Sequence, residues 1–155
     1  TNLTTSTTMK YLIGAALAFT LVGIFSFSTK TVSPEISVEK KASRVVFHLS
    51  SPDTAAHRAL TIQLNNVLEG IPNAQLEVVV HNKGITMLQT QKSTLAPELD
   101  ALKKRGVQFM ACEHTMKRLK LEKADMLPLS GFVPSGLVEI IRKQEEGWSY
   151  VKAGF

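Results

Sequence analysis

The most reactive side chain that the sequence offers is its single cysteine, Cys112. It follows the apolar run VQFMA (107–111), which is typical of a strand, and it precedes a basic helical stretch. A thiol that stands just before a helix is favoured as the thiolate by the helix dipole and by unpaired backbone N–H groups. Most free cysteines, however, are simply small buried residues. The residues alone therefore leave two interpretations of Cys112 open, a nucleophile and a packed side chain.

Three of the four histidines lie at or near the ends of predicted strands, as Cys112 does. His48 lies close to the end of the first strand, His81 follows the second, and His114 comes two residues after Cys112. Ligands bind outside the carboxyl ends of parallel strands, so these side chains are expected to gather at one edge of the sheet. We predict His81 and His114 as catalytic proton partners of Cys112. The alternatives are a solvated His114 and a structural role for His48.

Loop residues near these strand ends complete the predicted pocket. Gly84 closes the turn after His81, either because a ligand approaches the backbone there or because the turn needs a flexible residue. Ser135 can cap the helix that follows the fourth predicted strand. The predicted pocket residues are His48, Asn82, Gly84, Thr115 and Ser135.

Composition and motifs exclude several classes of function. One cysteine and four histidines do not favour a structural zinc site, which normally takes four such ligands, and we predict neither a metal nor a cofactor. The formal net charge of +5 is not concentrated in one block, and aromatic residues make up only 6%, so no nucleic-acid partner is expected. The chain contains no phosphate-binding loop and no GxGxxG, GxSxG or HExxH motif, which argues against a nucleotide site or a serine hydrolase.

Strand and helix patterns alternate through residues 44–155, which predicts one α/β domain with a mostly parallel sheet of about five strands and helices on both faces. Asp53 is expected to cap the first helix, and Gly70 to end it. Strands are predicted at 44–49, 76–80, 107–111, 127–133 and 148–152. Helices are predicted at 54–70, 85–91, 97–105, 115–124 and 136–146.

The N-terminal third differs from this domain. Residues 1–8 are polar and Thr-rich, and we interpret them as a non-native or disordered extension, because Met9-Lys10 resembles a natural start. The uncharged run Tyr11–Phe27 predicts an apolar helix within a signal peptide or membrane anchor at 9–28, with a linker at 29–43. An uncleaved segment would bring the chain to a membrane. We therefore expect a bacterial periplasmic or inner-membrane-anchored protein rather than a cytoplasmic one.

Several blocks together resemble the DsrE/DsrF-like proteins, and more closely their intracellular sulfur oxidation branch. The blocks are RVVFHL (44–49), Asn65-Asn66, VVVHNKG (78–84), GVQFMACEHTMK (106–117) and VPSGLVEIIRKQEEGWSYVK (133–152). The resemblance implies a three-layer α/β/α sandwich, a homo-oligomer from dimer to hexamer, and a cysteine that carries sulfur as a persulfide, here Cys112. It also implies that the loop from His81 to Gly84 belongs to the same pocket. The export or anchor segment departs from the cytoplasmic sulfur-relay members.

The sequence thus predicts a sulfur-handling protein that binds or relays sulfane sulfur on Cys112, as a carrier or sulfurtransferase, with a sulfur donor or acceptor protein as partner. The alternative is a non-catalytic module of the same fold, exported or membrane-tethered, that binds a small ligand or serves as an oligomeric scaffold.

Overall fold

A computed structural model describes residues 42–154, and the centre of this region is a five-stranded sheet. All of its strand pairs are parallel, and the strand order is β4-β3-β2-β1-β5. The strands are β1 (Arg44–Leu49), β2 (Gln75–Val80), β3 (Gln108–Cys112), β4 (Ser130–Val133) and β5 (Ser149–Ala153). The predicted α/β fold with a parallel sheet of five strands is confirmed.

Helices connect the strands. They are α1 (Thr54–Gly70), α2 (Ala96–Lys104), α3 (Glu113–Arg118) and α4 (Gly136–Glu145), and 3₁₀ segments lie at Asn82–Leu88 and Lys123–Asp125. The carboxylate of Asp53 accepts a hydrogen bond from the Ala55 N–H at 2.8 Å, which satisfies a donor of the first turn of α1, as predicted.

The direction of the connections decides which face of the sheet each helix covers. From β1 to β4 each new strand is added at the same edge of the sheet. The chain then crosses back through α4 and places β5 at the other edge, beside β1. Crossovers between parallel strands are right-handed, so a reversal of direction moves the connecting helix to the other face. The larger core accordingly lies under α1 and α2, and a smaller one, with Val46, Val79, Ile140 and Trp148, lies under α4. The result is the three-layer sandwich.

One helix and one strand are shorter in the structure than the sequence predicts. The helix predicted at 115–124 ends at Arg118, because Lys120 adopts a left-handed backbone conformation (φ 54°) that no helix continues through. The strand predicted at 127–133 begins only at Ser130. The first residue of the predicted strand bonds outside the sheet, because the Leu127 N–H donates to the Leu88 carbonyl at 2.8 Å. The preceding residue, Met126, forms an isolated bridge with Gln89.

The predictions for the N-terminal third, including the apolar helix within Tyr11–Phe27, lie outside the described residues. Within 42–154, none of the helices combines the length and the apolar character needed to cross a membrane.

Candidate functional site

Cys112 lies at the end of β3. The segments that follow β3 and its neighbour β4 lead to opposite faces of the sheet. After β3 the chain enters α3, whose Met116 belongs to the larger core, whereas after the adjacent β4 it enters α4 on the other face. The crevice that opens between two such strand ends is where parallel α/β sheets bind ligands. The only cysteine of the chain therefore stands at the position in this fold that topology favours for a site.

The N-terminus of α4 closes over the thiol. Cys112 is 5% exposed, and its Sγ accepts a hydrogen bond from the Gly136 N–H at 3.2 Å. A Cβ at Gly136 would lie 3.2 Å from the His81 Cβ and 3.3 Å from the Cys112 Cβ, which is tighter than ordinary packing. The missing side chain of Gly136 thus lets the helix approach both residues closely enough for its N–H to reach the sulfur.

Hydrogen bonds hold the pKa of the Cys112 thiol below its ordinary value. Burial by itself raises this pKa, but the Thr115 hydroxyl, the Gly136 N–H and the backbone N–H groups of Thr115 and His114 outweigh it by stabilising the anion. The Thr115 oxygen also accepts the Asn82 N–H at 3.0 Å, which fixes the hydroxyl in place. The arrangement favours a thiolate, which is the nucleophilic form of cysteine.

Three hydrogen-bonded side chains form a row on the face of the sheet on which Cys112 lies. They belong to β5, to β1 and to the residue directly after β2. The Tyr150 hydroxyl lies 2.8 Å from His48 Nδ1, and His48 Nε2 lies 2.5 Å from His81 Nε2. The two imidazole rings are nearly parallel, with an interplanar angle of 18° and centroids 4.7 Å apart. This row, which we call the Tyr-His-His row, ends at His81, whose Cβ borders the same space beside Gly136 as the Cys112 Cβ does.

Both imidazoles of the row are held neutral near pH 7. Burial lowers the pKa of His81. Burial also lowers the pKa of His48, and the Lys152 ammonium and the repulsion that a second protonated imidazole at His81 would cause lower it further. In each neutral ring one nitrogen donates and the other accepts, so the row can pass one proton along its hydrogen bonds.

Three other predicted residues, His114, Ser135 and Asn82, make no side-chain hydrogen bond to the Cys112 sulfur among residues 42–154. His114 is exposed, and its backbone N–H donates to the Pro134 carbonyl at 3.2 Å. Ser135 stands at the N-cap position of α4 but makes no capping hydrogen bond with its side chain. The Asn82 backbone is left-handed (φ 51°), and its side-chain oxygen accepts from Arg118 at 3.0 Å, which ties the end of β2 to α3.

Gly84 is buried against the end of β1. A Cβ there would come within 2.8 Å of the Leu49 carbonyl oxygen, so the absence of a side chain lets the first 3₁₀ segment pack against that strand. His57 lies apart from the thiol, and its Nε2 bonds the Ser51 carbonyl at 2.8 Å.

Sequence reasoning missed Gly136 and Tyr150 as site residues. Gly136 follows Ser135 in the VPSG block, but only the crossing of α4 over the sheet brings its N–H to Cys112. Tyr150 lies in the last strand, and its contact with His48 depends on β5 pairing with β1 rather than with β4. In the part of the chain that the structure describes, no group of three His, Cys, Asp or Glu side chains is placed to hold a metal ion.

Comparison with known proteins identifies the family of the chain. The model of the DsrE/DsrF-like family matches residues 43–153, which is most of the chain. The fold is similar to the structure of MTH1491, a protein of unknown function from Methanobacterium thermoautotrophicum, with a TM-score of 0.68 and 30% sequence identity. The match covers 71% of this chain and 98% of that one. No curated protein matches the sequence.

Proposed function

We propose that this protein, which belongs to the DsrE/DsrF-like family, carries sulfane sulfur as a persulfide on Cys112. The observation that carries the proposal is the hydrogen bond from the Gly136 N–H to the Cys112 Sγ, in the crevice between β3 and β4. An N–H at the start of a helix stabilises an anionic sulfur, whether it is the thiolate or the persulfide that replaces it.

The proposed reaction needs no external oxidant or reductant. The Cys112 thiolate attacks the outer sulfur of a sulfane donor such as thiosulfate. A sulfur–sulfur bond to Cys112 forms while the bond between that sulfur and the sulfite group breaks, and sulfite leaves with the electron pair. An acceptor thiolate then attacks the outer sulfur of the Cys112 persulfide, takes it as a new persulfide, and releases the Cys112 thiolate.

The Tyr-His-His row supplies a route for protons in this cycle. A thiol acceptor must lose its proton before it attacks, and a neutral imidazole is a suitable general base near pH 7. His81 is the member of the row that lies beside Gly136 and the thiol, and His48 and Tyr150 extend the hydrogen-bonded path towards the surface, where Tyr150 is 41% exposed.

The test is the mass of the intact protein after incubation with thiosulfate or polysulfide. The wild type is expected to gain one sulfur atom, and a later incubation with an acceptor thiol should remove it. Cys112→Ser is the matched control, because it keeps the shape of the site and removes the only thiol. A wild type that gains no sulfur, or a Cys112→Ser variant that gains as much, would refute the proposal.

A second candidate function rests on the burial of the thiol. Since only 5% of Cys112 is exposed, the residue is also suited to a packed role in a non-catalytic module that binds a small ligand. The two candidates differ in thiol reactivity. A carrier thiolate in the folded protein should react with iodoacetamide at least as fast, below pH 8, as the same cysteine in urea. A packed thiol should react far more slowly when folded.

For partners, we propose that the protein associates with further copies of itself through α4. Three apolar side chains on the outer side of this helix are more than half exposed: Leu137 at 56%, Val138 at 51% and Ile141 at 54%. Leu137→Glu should shift the oligomer to smaller species in analytical ultracentrifugation. Ile62→Glu on α1, where Ile62 is 55% exposed, is the matched control and should not. A monomeric wild type would contradict the proposal. A protein donor or acceptor of sulfur would use the same crevice.

For location, we propose export or membrane tethering through the uncharged run Tyr11–Phe27, with the folded domain in the bacterial periplasm. Cell fractionation together with N-terminal sequencing tests this. A mature chain that starts near residue 29 would show cleavage, and an intact chain in the membrane fraction would show anchoring. An intact chain in the cytosolic fraction would contradict both.

A further inference from the structure

Helix α4 lies along β2 and runs in the opposite direction to the strand. At the start of the helix, a Cβ on Gly136 would lie 3.2 Å from the Cβ of His81, which directly follows β2. One turn further on, Ile140 packs with Val79 in the smaller core. These contacts progress along the helix while they move back along the strand. The N-terminus of α4 therefore stands over the carboxyl end of β2, beside the thiol.

A buried ion pair fixes the other end of this alignment. Lys143 Nζ lies 2.8 Å from Glu77 Oε2, and the two side chains are 17% and 2% exposed. Lys143 comes seven positions after Gly136, which is two helical turns, and Glu77 comes four positions before His81 on the strand. Both spacings return to the same face of their element. The pair and the Gly136 contact thus hold α4 to the sheet at two points.

The apolar core beneath α4 is small. In the part of the chain that the structure describes, it consists of Val46, Val79, Ile140 and Trp148. Apolar contacts are not directional and tolerate small shifts, whereas a displaced ion pair leaves a charge unpaired away from water. The hydrogen bond from Arg44 to the Glu146 carbonyl, at the end of α4, is exposed, so water can replace it. The Glu77–Lys143 pair is therefore the contact that selects one register for the helix.

We infer that Glu77 and Lys143 are positioning residues for the thiol, because their ion pair sets the register of α4 and so holds the Gly136 N–H against the Cys112 sulfur. That hydrogen bond is 3.2 Å long, and hydrogen bonds weaken steeply when the donor is misaligned. Without the pair, α4 stays packed on its core, but the thiolate loses part of its stabilisation. The inference rests on the proposed function for the use of this thiol, whereas its test requires no sulfur transfer.

The test is the pH midpoint of alkylation by iodoacetamide. Glu77→Leu with Lys143→Met replaces the pair by apolar side chains of similar size, a change that often leaves stability unchanged or higher. We expect this double variant to melt at or above the melting temperature of Lys143→Met alone. Its alkylation midpoint should nevertheless lie above that of the wild type by roughly 0.5 pH unit or more. A purely structural role of the pair would return the midpoint to the wild-type value together with the stability.

Two further variants separate position from charge. Glu77→Leu alone removes an anion, and the loss of an anion acting through space would lower the thiol pKa and the midpoint. Loss of register instead raises the midpoint, so the sign of the shift identifies the cause. Lys104→Met on α2 is the matched control, because it breaks an ion pair of the same length, 2.8 Å, with Asp100 at the protein surface. Its midpoint should equal that of the wild type.

Three outcomes would overturn the inference. They are a folded double variant with the wild-type midpoint, a lower midpoint in Glu77→Leu, and a shift in Lys104→Met as large as that in the double variant. Failure of the proposed function looks different. A wild type that takes up no sulfur from thiosulfate, together with a raised midpoint in the double variant, refutes sulfur carriage and leaves the positioning role in place. Sulfur uptake together with equal midpoints does the reverse.

Discussion

Gly136→Ala should raise the pKa of the Cys112 thiol while the protein stays folded. The new Cβ would meet three neighbours at once, at 3.2 Å from the His81 Cβ and the Val79 Cγ1 and at 3.3 Å from the Cys112 Cβ. None of these atoms is the free end of a flexible side chain, so the helix must move outward by a few tenths of an ångström. The 3.2 Å hydrogen bond from the Gly136 N–H to the sulfur then weakens.

The size of the effect follows from the strength of that bond. A hydrogen bond to a charged group contributes about 1.5–3 kcal/mol. Since about 1.4 kcal/mol corresponds to one pKa unit, a bond that is half lost should raise the thiol pKa by roughly 0.5–1 unit. Overpacking costs about 1–3 kcal/mol of stability, and alanine in place of glycine within a helix returns about 0.5–1 kcal/mol. The net loss, about 2.5 kcal/mol or less, leaves a typical domain folded.

The assay is the pH dependence of the rate at which iodoacetamide alkylates the thiol. The midpoint of the rate curve should move to higher pH in Gly136→Ala. Gly70→Ala, at the end of α1, is the matched control, because a Cβ there meets no atom within 4 Å, and its midpoint should equal that of the wild type. An unchanged midpoint in folded Gly136→Ala would refute the claim that this N–H tunes the thiol.

Three further predictions rest on other contacts. Thr115→Val should also raise the pKa of Cys112, because it removes the hydroxyl that stabilises the thiolate, and Thr115→Ser should restore the alkylation profile; equal profiles for the two variants would contradict this. Burial lowers the pKa of His48 in the folded state, so unfolding takes up a proton and the free energy of unfolding should fall as pH drops below about 6.5, by up to about 1.4 kcal/mol per pH unit for each such proton. Urea titrations from pH 7.5 to 5 should show this slope, and His48→Gln should reduce it; an unchanged slope would contradict the assignment. Lys143→Met should destabilise the fold by about 3–5 kcal/mol, because it leaves the buried Glu77 carboxylate without the ammonium 2.8 Å away. Lys143→Met with Glu77→Gln should recover much of that loss in the same assay, and no recovery would show that the pair is not the cause.

Most of the fold could be predicted from the sequence because local patterns and chain connectivity agree. The run RVVFHL forms β1 with the predicted bounds, and Asp53 caps α1 where its side chain can reach a free N–H. The errors lie where tertiary contacts override local pattern. Lys120 turns the chain out of the helix, and Leu127 pairs with the first 3₁₀ segment instead of extending β4.

The site was predictable only in part, because it depends on the order of strands. The prediction that Cys112 and His81 lie at the same edge of the sheet requires only that their two strands be parallel. The contact of Tyr150 with His48 requires β5 to lie beside β1. The contact of Gly136 with the thiol requires α4 to cross the opposite face from α3. No local pattern encodes either arrangement, so both became visible only in three dimensions.

Cys112 is proposed to accept the outer sulfur of a donor and to pass it on. The most direct measurement follows thiosulfate whose outer sulfur is isotopically labelled. The labelled sulfur should appear on the peptide that contains Cys112 and then, after addition of an acceptor thiol, in the persulfide of that acceptor. Label that never reaches Cys112, or that reaches the acceptor equally well with Cys112→Ser, would contradict the account.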